Sequence, residues 1–204
     1  MKKTIKIILI VLAAVLAVAL GIGLYFASPM LAMKPVETGQ ISGIDPPVYA
    51  LRSGRGNLYL VDTNAGGWLM IDAGASADSV EAGLTELGIE PAQVRWILLT
   101  HSHGDHVAGL PLFSEAARNL RAGDKFLVGD IEIDCVAVPG HTPDSMAYLV
   151  NGRYLFTGDA LRYSNGKMSV HPFTQDKAQA QASIEKIKSL ADDAMILTSH
   201  YGIH

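Results

Sequence analysis

The stretch Thr100-His101-Ser102-His103-Gly104-Asp105-His106 places four side chains able to bind a divalent metal within six positions. It follows Trp96-Ile97-Leu98-Leu99, an apolar run that reads as a buried strand. A strand that turns into the start of a helix directs His101 and His103 to one point, and Asp105 and His106 to a second point a few ångströms away. Imidazole and carboxylate without thiolate suit zinc, iron or manganese. A lone histidine is more often a satisfied structural residue than a ligand, but that reading does not explain a cluster this dense.

Three other apolar runs end the same way. Trp68 to Ile71 is followed by Asp72, Tyr154 to Gly158 by Asp159, and Met195 to Ser199 by His200. Chance would scatter polar residues over both ends of the strands. Their placement at the carboxyl ends predicts one rim where loops converge, the usual place for sites in open α/β sheets.

Between these points the chain alternates strand-like and helix-like segments. Strands are expected at Val48 to Leu51, Leu58 to Val61, Lys125 to Val128, Ile131 to Val138 and Ala147 to Val150, besides the runs already named. Asn151-Gly152 marks a tight hairpin. Helices are expected from Asp78 to Leu87, capped by Ser76 and stopped by Gly88 and Pro91, and from Asp176 to Leu190. Strands in groups with intervening helices predict mixed sheets covered by helices, hence an α/β layered domain.

Composition narrows the function. With 204 residues, 49% hydrophobic and 18% charged, the chain is neither a disordered tail nor a collagen-like repeat. Formal net charge is −4. Lys2, Lys3 and Lys6 precede an apolar run, and the remainder carries 13 basic against 20 acidic residues, a net of −7. A nucleic-acid surface needs the opposite balance, so no nucleic-acid partner is expected. The single Cys135 excludes an intrachain disulfide and a Cys-rich zinc cluster, and its apolar strand predicts a buried thiol.

Residues 7–27 carry no charge and no proline. As a helix they span roughly 30 Å, one bilayer core. A core helix of a soluble protein keeps a polar stripe, and this run has none. The exit Tyr25-Phe26-Ala27-Ser28-Pro29 puts aromatics where signal cleavage wants small residues, although Ala17-Val18-Ala19 offers a site inside the run. The run reads as an uncleaved transmembrane anchor; secretion after signal cleavage is the alternative. Lysines ahead of the span predict a cytoplasmic N-terminus at residues 1–6 and a catalytic domain on the extracytoplasmic side. Residues 28–47, with Pro29, Pro35, Pro46 and Pro47, read as a stalk, leaving 48–204 as the folded domain.

Five motifs in order, Leu69-Met70-Ile71-Asp72-Ala73-Gly74, the His-x-His-x-Asp-His loop, Pro139-Gly140-His141-Thr142-Pro143, Thr157-Gly158-Asp159-Ala160 and Thr198-Ser199-His200, resemble the metallo-β-lactamase superfamily. The likeness runs from about Asn57 to Gly202. It implies a four-layer αββα sandwich and a metal-dependent hydrolase with two divalent metal ions, zinc foremost and iron or manganese as alternatives. Carried over by position, it makes His101, His103 and His141 ligands of one metal and Asp105, His106 and His200 ligands of the second. Asp159 would bridge both, and Asp72 would support the His loop from beneath. A hydroxide shared between the metals would attack a small-molecule substrate, with Asp105 orienting it and accepting its proton.

An aspartate at 159, where true β-lactamases carry Cys or Ser, makes the chain more similar to the glyoxalase-type thioesterases and lactonases. Tyr163, four residues on, is a candidate for assisting a substrate oxyanion. The interval from His106 to His141 is short for the family, which predicts a trimmed element there, and Asp144 adds a carboxylate beside His141. His171 and His204 are expected to be exposed. Competing readings are a mononuclear iron sulfur dioxygenase on the same scaffold, a metal-dependent phosphodiesterase, and a non-catalytic metal-binding module.

Overall fold

The computed structural model describes residues 2–114, 116 and 123–204. It divides into two compact units, Met1–Met33 and Lys34–His204. The first is one helix, α1 (Lys2–Leu31), which continues through Pro29. Its segment Ile7–Leu24 has a mean hydropathy of 3.1 and no buried residue, so by length and composition it could cross a membrane. The side chains of Lys2, Lys3 and Lys6, on which the expected orientation rests, lie outside the described residues.

The second unit contains two five-stranded sheets. The first has the order β1 (Gly39–Gln40), β2 (Val48–Ser53), β3 (Gly56–Asp62), β4 (Trp68–Ile71) and β5 (Val94–Leu98). In the second, β6 (Lys125–Val128), β7 (Ile131–Ala137), β8 (Met146–Val150) and β9 (Tyr154–Gly158) lie side by side, and β12 (Met195–Thr198) joins beyond β9. A small ribbon, β10 (Arg162–Ser164) with β11 (Lys167–Ser169), stands apart from both sheets. Every predicted strand is present, with ends shifted by a residue or two.

Period-two alternation sorts the side chains between cores. On β3, Tyr59 and Val61 join β9 residues Tyr154 and Phe156 between the sheets, while Leu58 and Leu60 face the other way. There they meet Val80 and Leu84 of α2 (Ala77–Leu87). On the far side, Ala147 and Leu155 meet Ile184 and Ile187 of α4 (Lys177–Leu190). Helix α2, the first sheet, the second sheet and helix α4 thus succeed one another in layers. Both long helices begin where the sequence expects: the Ser76 side chain accepts from Ser79 N–H, and the Asp176 side chain accepts from Ala178 and Gln179 N–H. Cys135 is buried between the sheets, and burial pushes its thiol up to about 11.

The stalk expectation needs correction from residue 34 onward. Residues 34–47 pack into the folded unit: β1 pairs with β2, Lys34 N–H donates to His200 O at 2.7 Å, and Val36 N–H donates to Asn57 Oδ1 at 2.7 Å. The interval thought to be trimmed includes residues 115 and 117–122, which lie outside those described.

The two parallel pairs decide where the chemistry can sit. β4 runs parallel to β5, and β9 runs parallel to β12. Each pair brings two carboxyl ends side by side, and the pairs are joined at Thr100. Its carbonyl accepts from Met146 N–H at 2.7 Å, and its side chain lies where a Cβ on Gly158 would be. Gly158 has φ +53, whereas Gly152 has φ +64 with nothing near an added Cβ. Gly158→Ala should therefore lose more stability in urea than Gly152→Ala. The second change carries only a backbone cost of roughly 1–2 kcal/mol, and the first adds about 1–3 kcal/mol of overlap. Equal losses would contradict the close approach at Thr100.

Candidate metal centre

Asp72 follows β4, and His101 and His103 lie in the loop after β5. Asp105 and His106 fall in the short helix α3 (Gly104–Val107). Asp159 follows β9 and His200 follows β12. His141 sits in the loop between β7 and β8, and α4 holds that loop: Ser183 Oγ donates to Pro139 O at 2.7 Å and Lys186 Nζ to Ala137 O at 3.0 Å.

These residues converge. His103 Nδ1 lies 3.0 Å from His101 Nε2 and 3.0 Å from His141 Nε2. Nitrogens bound tetrahedrally to zinc stand about 3.3 Å apart, so the triad is already close to that spacing. Asp105, His106 and His200 form a second group, with His200 Nε2 at 3.4 Å and His106 Nε2 at 3.9 Å from the Asp105 carboxylate. Asp159 stands between the groups. Its Oδ1 is 3.3 Å from His200 Nε2, and its Oδ2 is 3.5 Å from His141 Nε2 and 3.7 Å from His106 Nε2.

Hydrogen bonds behind the rings set which nitrogen faces the cluster. His106 Nδ1–H donates to Asp72 Oδ2 at 2.8 Å. Thr100 donates to the same carboxylate through N–H (2.7 Å) and Oγ1–H (2.8 Å), which leaves Oγ1 to accept from His101 Nδ1–H at 3.1 Å. His200 Nδ1–H donates to Arg55 O at 2.9 Å. In all three rings Nε2 is the nitrogen left to face the centre. Among the described residues, His106 Nε2 and Asp159 Oδ1 are buried without a hydrogen-bond partner. Unpartnered nitrogen and oxygen atoms aimed at shared points are the donor set a divalent cation needs once it displaces the Nε2 proton.

Electrostatics follow from the two buried carboxylates. Burial would lower the pKa of His106, but Asp72 and Asp159 hold it well above the usual imidazole value. Burial opposes the charge on His200 too, yet Asp159 and Asp105 raise it to about 10. Burial likewise disfavours ionised Asp159, and His106 and His200 outweigh this to keep it well below the carboxylate range. The hydrogen bond from His200 draws Asp105 down to about 2. Burial and the neighbouring His106 lower His101 to about 4.

Two expectations from the sequence change here. His171 is not exposed. It is 1% accessible, its Nε2 lies 3.8 Å from Asp159 Oδ2, and its ring stands edge-on to His141 with centroids 4.8 Å apart. Burial lowers its pKa to about 4. Tyr163 lies on β10 and stacks on His204 at 3.8 Å; it has no ring contact with the cluster histidines among the described residues. The phenol that reaches the cluster is Tyr201, whose ring packs against His171 at 5.7 Å. Burial and the nearby Asp159 push it up to about 12. Its adjacency to His200 was the available signal. His204 is exposed, as expected, and Asp144 is exposed at the rim.

Comparison with known proteins agrees with the geometry. The profile of the metallo-β-lactamase superfamily matches residues 51–125. Metallo-beta-lactamase domain-containing protein 1 of Xenopus laevis is 30% identical, over 81% of this chain and 84% of that protein. A probable hydroxyacylglutathione hydrolase of Encephalitozoon cuniculi is 36% identical over 52% of this chain, and this match spans only 46% of that relative. A metallo-β-lactamase structure from Cronobacter sakazakii superposes with a TM-score of 0.61 at 19% identity, covering 84% of this chain and 81% of that one, which speaks to fold alone.

Protons and metal ions compete for the same lone pairs. His106 and His200 have folded-state pKa values above 7, so divalent-metal binding at pH 7 should expel a proton from each. Calorimetry in buffers of different ionisation enthalpy would measure this release. The sign for His200 is that of a raised pKa: its proton stabilises the metal-free protein below about 6.5 and that contribution is lost as pH rises through about 10. Metal affinity should rise over the same window. An affinity flat with pH, or no proton release, would contradict the assigned charges.

Proposed function

The chain belongs to the metallo-β-lactamase superfamily, and on that premise we propose that it is a metal-dependent hydrolase of a small ester, thioester or lactone, with two divalent cations held in its His and Asp cluster. His101, His103 and His141 would hold one ion and Asp105, His106 and His200 the other, with Asp159 shared. The observation that carries this reading is the position of Asp159, whose Oδ2 lies 3.5 Å from His141 Nε2 of one group and 3.7 Å from His106 Nε2 of the other, with Oδ1 3.3 Å from His200 Nε2. The donors are imidazole and carboxylate without thiolate, a set that suits zinc, iron or manganese. When bound, such ions lower the pKa of water to near neutrality and polarise the carbonyl to be attacked.

The chain's own residues supply position and charge. Asp105 has the most exposed side chain of the second group, at 48%, and so faces incoming water and substrate. A carboxyl drawn to about 2 is a weak base at neutral pH, so Asp105 serves better to orient water by accepting a hydrogen bond than to take its proton. Asp72 and the Arg55 carbonyl keep His106 and His200 turned inward throughout. The hydroxyacylglutathione hydrolase names among the relatives make hydroxyacyl conjugates of glutathione the first thioesters to try. The chain spans about half the length of these relatives, 46% and 59% in two cases, so their substrate preference is a starting point.

The test is metal quantification on purified protein together with a panel of esters, thioesters, lactones and phosphodiesters. Two ions per chain and turnover that falls at least about 100-fold in His103→Ala, with the fold retained, are expected. A single iron per chain with oxygen uptake on a persulfide would replace the hydrolase by the redox reading.

We also place the catalytic unit outside the cytoplasm, held by α1. The uncharged run of residues 7–27 and the three lysines before it support this. The full chain should sediment with membranes through a high-salt wash, while a chain beginning at Lys34 should not. Recovery of the full chain in the soluble fraction would remove the anchor.

A further inference from the structure

His171 has no role in the assignment above, yet its environment is as specific as that of any proposed ligand. Its Nε2 is buried, has no hydrogen-bond partner among the described residues and lies 3.8 Å from Asp159 Oδ2. Its position is set by backbone. The loop after β11 is tied to the loop that carries His141, with Gln175 N–H donating to His141 O at 3.3 Å and Asp176 N–H to Gly140 O at 2.9 Å. Thr174 N–H donates to His171 O at 3.2 Å and closes the turn. The two rings then meet edge to face, at 87°.

Taking the two-ion reading of the cluster as the base, we infer that His171 is a positioning residue, whose Nε2–H holds the shared carboxylate of Asp159 across the two groups, and that it is not itself a ligand. One observation separates these roles. Phe173 N–H donates to His171 Nδ1 at 3.4 Å, which occupies that lone pair and leaves the ring proton on Nε2. A ring bound to a cation through Nε2 would carry its proton on Nδ1, pointed at another N–H. The residue is 1% accessible, so a substrate cannot reach it and its effect must pass through neighbours such as Asp159 and His141. The 3.8 Å gap exceeds a charged N–H···O⁻ bond by roughly 1 Å, which a turn of the carboxylate group can close. Carboxylates that bind metals are commonly fixed by such donors.

The experiment uses the full chain. In metal-free protein, ¹⁵N NMR of the His171 ring should show the proton on Nε2; a proton on Nδ1 would overturn the proposal. In protein loaded with ¹¹³Cd, His171 should show no coupling to cadmium, and a coupling would make it a ligand instead. Zinc affinity, measured by competition with a chromophoric chelator, should fall roughly 10- to 100-fold in His171→Phe, which keeps the bulk and loses the donor. His171→Gln, which keeps an N–H, should stay within about 3-fold of the parent chain. With manganese in place of zinc, the magnetic coupling of the pair should weaken in the Phe variant and persist in the Gln variant. Equal affinity in the Phe variant would sink the role of His171 alone. A parent chain that binds no divalent ion would instead sink the hydrolase reading on which it rests, whatever the NMR shows.

Discussion

The carboxylate of Asp72 is the constraint on which the rest of the site depends. It is 2% exposed and has a left-handed backbone, φ +64, a conformation that costs energy for a residue with a Cβ. Its oxygens accept from Thr100 N–H, Thr100 Oγ1–H and His106 Nδ1–H. A buried anion without such partners would be strongly unfavourable, so the ends of β4 and β5 and the first turn of α3 hold one another in place. Its own N–H donates to Leu98 O, and Ala73 N–H donates to His106 O, which locks the same elements through backbone. The orientation of two cluster histidines follows from this one group, His106 directly and His101 through the Thr100 hydroxyl.

Asp72 organises only the first sheet, and Asp159 and His200 belong to the second. Contacts between the sheets bring the halves together. Tyr148 Oη–H donates to Leu99 O at 2.6 Å, Tyr59 Oη–H to Thr198 O at 2.7 Å, and Asn57 N–H to Ser199 O at 2.8 Å. All three join the carboxyl end of a strand in one sheet to residues on or beside the other. Burial raises both tyrosines far above the usual phenol value, so they remain neutral donors at any pH the fold survives. The distance between the two groups of side chains is therefore a property of the sandwich rather than of the loops.

This explains what could be read in the sequence and what could not. Asp72, His101, Asp159 and His200 were visible because sheet geometry places them, and an apolar run followed by a polar residue is a local signal. The two core faces of β3 were legible for the same reason. His171 gave no such signal. Its place depends on hydrogen bonds from residues 175 and 176 to the backbone of residues 140 and 141, partners more than 30 positions away. Residues 34–47 misled in a similar way: their prolines suggested a stalk, while Asn57 and β2 supply partners that no local pattern announces. Tyr163 drew attention by its distance from Asp159 along the chain, although β10 turns it to His204.

The charge balance of the centre joins folding to metal binding. Asp72 and Asp159 are both buried, and their charges require compensation within a few ångströms. In the metal-free protein the imidazoles of His106 and His200 provide it by keeping their protons, which is why those two rise while His101 and His141, governed first by burial, fall. The division follows the geometry: the rings of His106 and His200 face carboxylates most closely and charge, and those of His101 and His141 do not. A divalent ion replacing the two protons in the second group would offer the same anions the same charge, held at one point between them. In the first group His101 and His141, lowered by burial, would receive an ion without giving up a proton at neutral pH. The two halves of the centre thus differ in the proton cost of filling them, and the cost at His106 and His200 opposes an ion in the second group more strongly as the pH falls.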